Sequence, residues 1–413
     1  MSFSQDWDNF LSGSPHLPRD LFVPPVLPPY SVDGEEFWEE VAGHYSTGGQ
    51  WINLNNGAVS SAPTHVSVCF TKAYALLNTA PAFYNWKVMY DARDIIKTGI
   101  AEVINSSPDE IALLRNTTQA LNNVIFGCEL KKGDEVIVCR QDYSKTISSW
   151  QQRALREGIV LKWIHLESSD DCDTVLTKYK NAITEKTRVA QVTHVLNWNG
   201  QVLPVREITG VMHYFGITVL LDAAHSFGLL EVDVKELGCD YMAAAMHKWL
   251  GSPISAGFLY VRKQRISDLW PLASAAEPGS GAITKFEELS VQSGPSLMAM
   301  GAALSYFNLI GRHSKETRLR FLKQYWVTRL AAAPHIRWYT PVGGSVSCTM
   351  VTLGVRGMKA PELEQRLHTE AGIHVGLIEW EQYQGIRIAP NIYTGLGELD
   401  RLVEVLNRLK YLS

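Results

Sequence analysis

Two residues stand where chemistry is easiest to build. The apolar run Val219-Leu220-Leu221 delivers Asp222, and Ala223-Ala224-His225-Ser226 turns the chain directly after it. Further on, Met242-Ala243-Ala244-Ala245-Met246 leads into His247-Lys248-Trp249-Leu250-Gly251, so that 26 positions separate the acid (222) from the lysine (248). A lysine among apolar neighbours is costly while charged; desolvation lowers its pKa and frees the amine as a nucleophile toward a carbonyl. A carboxylate one strand away can pair with a protonated pyridine nitrogen. Together they describe pyridoxal phosphate chemistry, an imine at Lys248 with Asp222 keeping the ring protonated as an electron sink. The spacing alone also fits a surface lysine and a helix-capping aspartate.

Such residues need a scaffold, and residues 100 to 262 alternate helix-period segments with short β-rich runs. The runs are Glu135-Val136-Ile137-Val138, Ile159 to Ile164, Val189 to Thr193, Thr218 to Leu221 and Gly257 to Val261. Between them, Ile147 to Arg156 closes at Gly158 and Val205 to Tyr214 closes at Gly216, as helices do. This alternation predicts an α/β fold with a mainly parallel sheet covered on both faces, with ligands at the carboxyl ends of its strands. After Pro295 come helical runs to Gly311 and from His313 to Ala333, then a strand from Cys348 to Leu353 and a helix from Ala360 to Ala371. Strands Ile373 to Ile378 and Ile386 to Ala389 follow, with a last helix bearing Leu399, Leu402, Val403, Leu406 and Leu409 on one face. The expected organisation is an extended proline-rich arm and helix over 1–50, a large domain over 51–310, and a small α+β domain over 311–413. In the arm, six prolines fall between Pro15 and Pro29, which excludes helix there.

Composition narrows the partners. The chain has 413 residues, 46% apolar and 19% charged, ample for a large core. A net charge of -4 lacks the electrostatic footprint of a nucleic-acid or anionic-membrane binder, so a small-molecule substrate must be recognised by individual groups. Six dispersed cysteines without C-x-x-C spacing predict neither a disulfide framework nor a metal site. The N-terminal residues Met1 to Trp7 do not read as a signal peptide and no run reaches the length of a membrane span, so a cytoplasmic protein is expected.

Three separated segments carry a family resemblance: Leu221-Asp222-Ala223-Ala224-His225-Ser226, His247-Lys248-Trp249-Leu250, and Gly257-Phe258-Leu259-Tyr260-Val261-Arg262. In this order they resemble the core of class V aminotransferases of fold type I, pyridoxal-phosphate-dependent enzymes. The likeness is nearest to the isopenicillin N epimerase-like branch and more distant to cysteine desulfurases. It implies a seven-stranded large-domain sheet, a homodimer, and pyridoxal 5'-phosphate as cofactor. It also implies roles: Lys248 as the Schiff-base lysine, Asp222 as the pyridinium partner, and His225 and Asn197 beside the cofactor's phenolic oxygen, Asn197 near the substrate carboxylate as well. Tyr143 falls where a ring stacks on the pyridine face. Arg115-Asn116-Thr117-Thr118 resembles the phosphate-binding turn, and Leu121, Val124, Ile125 and Cys128 recur at helical spacing after it, so Thr117 and Thr118 open a helix whose N–H groups suit phosphate. Two threonines before a helix also serve simply as a cap. Arg387, in Gly385-Ile386-Arg387-Ile388, matches the arginine that grips the substrate carboxylate with its two-pronged fork. A lone arginine in a β-run also fits a solvated edge. Asn56, in Asn55-Asn56-Gly57, belongs to a loop that closes over the substrate.

Two positions depart from the family. Ala245 stands where a hydroxyl residue often contacts phosphate, and Val291, beside Ser290 and Gln292, stands where a neighbouring subunit's threonine often does. Phosphate affinity is then expected to rest more on Thr117, Thr118, His247 and Gln292. The segment from Gly376 through Trp380, Gln382 and Tyr383 lacks the mobile cysteine that a desulfurase needs, and Trp380 and Tyr383 fit either a substrate side-chain pocket or an interface. The expected reaction begins with loss of the α-proton of an amino acid or amino-acid-containing metabolite, through an external aldimine and a quinonoid. Transamination or epimerisation is favoured. A C–S or other β-elimination lyase is the alternative, with a degenerate binding member the third reading.

Overall fold

The computed structural model describes residues 2–30, 34–46, 49–341, 343, 346–381 and 383–409; Met1 and Gln382 of the sequence reading lie outside them. Thirteen strands are formed among the described residues: β1 (Ile52–Asn53), β2 (Ile111–Leu114), β3 (Glu135–Cys139), β4 (Val160–Ile164), β5 (Thr187–Thr193), β6 (Thr218–Asp222), β7 (Tyr241–Ala245), β8 (Gly257–Val261), β9 (Ile336–Trp338), β10 (Val351–Val355), β11 (Ile373–His374), β12 (Gly376–Trp380) and β13 (Tyr383–Ile388). Seven of them make the central sheet in the order β2-β8-β7-β6-β5-β3-β4. The strands from β7 to β4 run parallel, and β8 is antiparallel to both of its neighbours. Strands β2, β7 and β8 are nearly continuous apolar runs buried at every position, while the edge strand β4 exposes Val160 and Trp163.

The parallel register sets the site. Thr193 at the end of β5 pairs with Asp222 at the end of β6, and Asp222 pairs with Ala243 of β7. The carboxyl ends of β5 and β6 therefore line up, β7 runs two residues further, and the connection after it brings His247 and Lys248 to the same edge. A smaller antiparallel sheet, β12-β13-β10-β9, follows toward the C-terminus. Its core joins Leu322, Trp326 and Leu330 of helix Arg312–Leu330 to Leu363, Leu367, Leu399, Leu402 and Leu406. Strand β1 pairs in parallel with β11, and Asn55 bridges Ala389, so the segment after residue 50 is tied to the C-terminal sheet.

Several elements differ from the sequence expectation. Ahead of the prolines a helix, Phe3–Gly13, buries Phe3 and Trp7 completely. Gly99 and Gly301 admit them: a Cβ at Gly301 would lie 2.3 Å from the Trp7 ring, and one at Gly99 would lie 2.7 Å from Phe3. The strand expected over 373–378 is two short strands that join different sheets, β11 with β1 and β12 with β13. Cys348 precedes β10 instead of lying within it, though it is buried.

Candidate active site

One cavity of about 430 Å³ opens at the carboxyl edge of the central sheet. Thr117, Thr118, Tyr143, Asn197, Asp222, His225, His247, Lys248 and Arg387 all line it, so nine side chains singled out over some 270 residues of sequence meet in one place. Asn56 does not line it. Its amide donates to the carbonyls of Asn53 and Ala389 and accepts the Tyr393 hydroxyl at 2.6 Å, which leaves it nothing for a substrate. It fixes the loop whose neighbours Gly57 and Ala58 face the cavity. The residue before it, Asn55, accepts a 3.1 Å bond from Arg387 through Oδ1. Gly57 gives Arg387 room, since a Cβ there would lie 3.2 Å from the guanidinium carbon and 2.9 Å from Met350 Sδ.

The amine is set in a buried polar frame. Burial holds Lys248 below the usual lysine range, at about 8, with Asp222 pulling it up and the Arg387 charge pushing it further down. Its Nζ lies 3.2 Å from His225 Nε2. The carboxyl of Asp222 is pushed up by burial and held down by the Ala224 N–H, which Oδ1 accepts at 2.9 Å, and by Lys248. Its other oxygen has no hydrogen-bond partner among the described residues. Burial also drives His225 well below the ordinary histidine range, reinforced by Lys248 and Arg387, so the ring is neutral at physiological pH.

At the opposite wall, helix Thr117–Gly127 presents its N-terminus. Asn116 caps it by accepting the Gln119 N–H through its side chain, while the first-turn N–H groups of Thr117 and Thr118 have no intrahelical acceptor. Thr117 Oγ1 is buried without a partner. Gly257 on β8 allows this approach, since a Cβ would meet Asn116 Cα at 2.8 Å. An unsatisfied hydroxyl, free amides and the positive end of a helix together form a cradle for a phosphate dianion. His247, whose Nδ1 donates to the Ala256 carbonyl at 2.8 Å, stands beside it in the lining. Ala245 is a buried strand end and carries no hydroxyl. Val291 and Gln292 line a separate cavity of about 440 Å³ with Arg115 and Gln119, and the Gln292 amide donates to the Glu287 carbonyl.

Arg387 is almost fully buried, with no carboxylate within 4 Å among the described residues. It donates to the Asn197 carbonyl at 2.5 Å and to Asn55, while its Nε is buried without a partner. Burial lowers it to about 10, still a cation at neutral pH. A desolvated guanidinium facing a cavity without its counter-ion is a receptor for an anion.

Sequence reasoning passed over Thr193, which also lines the cavity and donates through Oγ1 to Asp142 at 2.6 Å. The register of β5 against β6 places it, and the end of a predicted strand was the available signal. Asp142, behind it, is pushed up to about 7 by burial, with the Thr193 and Cys139 hydrogen bonds opposing. Trp380 and Tyr383 are absent from the lining: their rings lie 5.5 Å apart and stacked, Trp198 packs against both, and the Tyr383 hydroxyl donates to Glu167. Among the described residues no cysteine lines the cavity.

Comparison with known proteins bears on the family and the fold. The family profile described as Aminotransferase class-V matches residues 52–377, about four-fifths of the chain. The chain is similar to the isopenicillin N epimerase of Streptomyces clavuligerus, 27% identical over 90% of this chain and 98% of that protein. It is also similar to a probable cysteine desulfurase of a Synechocystis species, 30% identical over 61% of this chain and 62% of the relative. Among solved structures, the apo cysteine desulfurase of Thermococcus onnurineus NA1 superposes with a TM-score of 0.80 at 21% identity, covering 90% of this chain and 97% of the other, a likeness of fold.

Proposed function

The chain belongs to the class V aminotransferase family of pyridoxal-phosphate-dependent enzymes, and from that premise we propose that it removes the α-proton of an amino acid or amino-acid-containing metabolite and returns a proton to carbon, as an epimerase or aminotransferase does. The observation that carries this reading is the pairing, in one cavity, of a desolvated Lys248 amine with an unpaired Arg387 guanidinium. One group suits a carbonyl and the other a carboxylate.

The residues present fit the cofactor. Thr117 Oγ1, with the first-turn amides and the Thr118 hydroxyl, would hold its phosphate, and Tyr143 would cover a face of its ring. The free oxygen of Asp222 would hold the proton of the ring nitrogen, and His225 with Asn197 would reach the phenolic oxygen. Bound there, pyridoxal phosphate supplies an aldehyde that condenses with amines and a ring that takes up the electrons of a broken α-bond. Lys248, buried in the cavity with its pKa lowered, would be the amine that holds the cofactor covalently and that a substrate amine would displace. Freed, the amine is neutral over much of the physiological range because burial has lowered its pKa, and it takes the α-proton as general base. Arg387 holds the substrate carboxylate through paired N–H donors, fixing which bonds of the α-carbon face Lys248. The likeness to an epimerase along nearly the full length of both chains supports return of the proton to carbon. Among the described residues no cysteine lines the cavity, which supports this reading over sulfur transfer.

The test is incubation of the loaded enzyme with D- and L-amino acids and short peptides in deuterium oxide. At least one compound is expected to gain deuterium at its α-carbon in a Lys248-dependent way, with inverted configuration for epimerisation or with pyridoxamine phosphate formed stoichiometrically for transamination. Release of ammonia and a keto acid without that exchange would overturn the reading in favour of β-elimination. No exchange with any compound would overturn it altogether.

A further inference from the structure

We propose that Trp249 is a positioning residue for Lys248: its indole N–H holds His225 in the tautomer that carries its proton on Nε2, aimed at the lysine amine, while Lys315 secures Trp249 through its backbone carbonyl. The proposal rests on the reading of Lys248 as the amine that bonds the cofactor, and it adds residues that touch neither cofactor nor substrate.

The geometry is a chain of three contacts. Trp249 is completely buried, and its Nε1 lies 3.4 Å from His225 Nδ1. An indole nitrogen only donates, so Nδ1 must accept. A neutral imidazole has one proton, and with Nδ1 accepting it sits on Nε2, the atom 3.2 Å from Lys248 Nζ. The other tautomer would set two N–H donors against each other inside the protein and leave both unsatisfied. In the enforced tautomer, Nε2–H donates to the lone pair of a neutral amine and opposes an ammonium, which has no lone pair to offer.

What holds Trp249 is as specific. Gly228 has φ +76°, and a Cβ there would lie 2.9 Å from Leu250 N and 3.1 Å from the Trp249 carbonyl carbon, so the turn after His225 packs directly on the backbone that follows Lys248. Lys315 is buried, has no carboxylate within 4 Å among the described residues, and donates from Nζ to the Trp249 carbonyl, with the ammonium 5.3 Å from the centre of the Phe307 ring. Of the other charged and titratable groups in the cavity among the described residues, Asp222 favours the Lys248 cation, Arg387 disfavours it, His247 is already bonded to Ala256 through Nδ1, and Tyr143 lines the wall. None of these hydrogen-bonds to the Trp249 side chain, whose N–H goes to His225.

The tautomer is read in the unmutated full chain, before cofactor is added, by NMR of protein labelled with 15N-histidine; His225 is assigned by comparison with His225→Gln. Nδ1 is expected in the unprotonated position and Nε2 in the protonated one; the reverse pattern overturns the proposal. A second readout is the pH dependence of the rate at which the cofactor-free chain couples with pyridoxal phosphate. In Trp249→Phe, which keeps an aromatic ring at the position but loses the N–H together with part of the indole, the midpoint is expected to rise by about one pH unit, the weight of one hydrogen bond. Lys315→Met is expected to move it in the same direction by less. An unchanged midpoint in a Trp249→Phe protein whose melting temperature is retained overturns the proposal. The NMR readout involves no cofactor, so a failure of the Lys248 assignment is distinguishable: coupling would then be insensitive to Lys248→Ala while the His225 tautomer stood as described.

Discussion

Lys248→Ala is expected to lower kcat/KM by about 10³- to 10⁴-fold, the scale of losing a positioned general base. The same change is expected to remove the visible absorption that borohydride bleaches. Its fold should survive, because alanine replaces a buried amine that makes no ion pair within 4 Å among the described residues. The melting temperature of the variant, compared with the unmutated chain in the absence of cofactor, checks this. A pH signature accompanies the prediction. Condensation with an aldehyde needs the neutral amine, and burial holds Lys248 at about 8, so the loading rate of the unmutated chain should rise with pH and level off above that value. A midpoint near that of an ordinary exposed lysine would mean that the amine is solvated and the cavity is not its environment.

Arg387→Met is the second large effect. Methionine fills much of the same volume without the charge, so the loss reports the guanidinium. A bidentate carboxylate contact comprises two charge-assisted hydrogen bonds, each worth about 1.5–3 kcal/mol, so kcat/KM for an amino acid should fall by about 10²- to 10⁴-fold. Arg387→Lys should restore little of it, since an ammonium cannot reproduce the fork. The control lies in the substrate: an amine that lacks the α-carboxylate should react at the same slow rate with Arg387 and with Met at this position. If the variant slows both compounds equally, Arg387 acts through its bonds to the Asn197 carbonyl and Asn55, as a strut of the cavity wall.

Much of this arrangement was legible from residue order alone, and the physical reason is the parallel sheet. A buried parallel strand advertises itself as an unbroken apolar run, and its last residue must face the ligand edge, so Asp222 could be placed without coordinates. The start of helix Thr117–Gly127 was legible because its apolar positions repeat at helical spacing, although the residue that caps it is Asn116 and not the threonines. Other parts were not. Helix Phe3–Gly13 is anchored by two aromatic residues that fit over glycines nearly 100 and 300 positions away, a tertiary fit that local pattern does not report beside a proline-dense stretch. Strand β2 is four apolar residues, too short for periodicity to separate strand from helix. The choice between Asn55 and Asn56 is decided by the bridge from Asn55 to Ala389 and by the Tyr393 hydroxyl, both contributed from more than 300 residues downstream. Trp380 and Tyr383 find each other and Trp198 instead of the cavity, because hairpin β12–β13 directs Arg387 inward four residues later.

The central claim is that the amine of one buried lysine bonds the cofactor. It is tested most directly by loading the full-length chain with pyridoxal phosphate, reducing with borohydride, digesting, and locating the modified residue by mass spectrometry. The account predicts a single phosphopyridoxyl group on the peptide that contains Lys248. A stable adduct on any other lysine, or none at all while the cofactor's absorption persists, would contradict it.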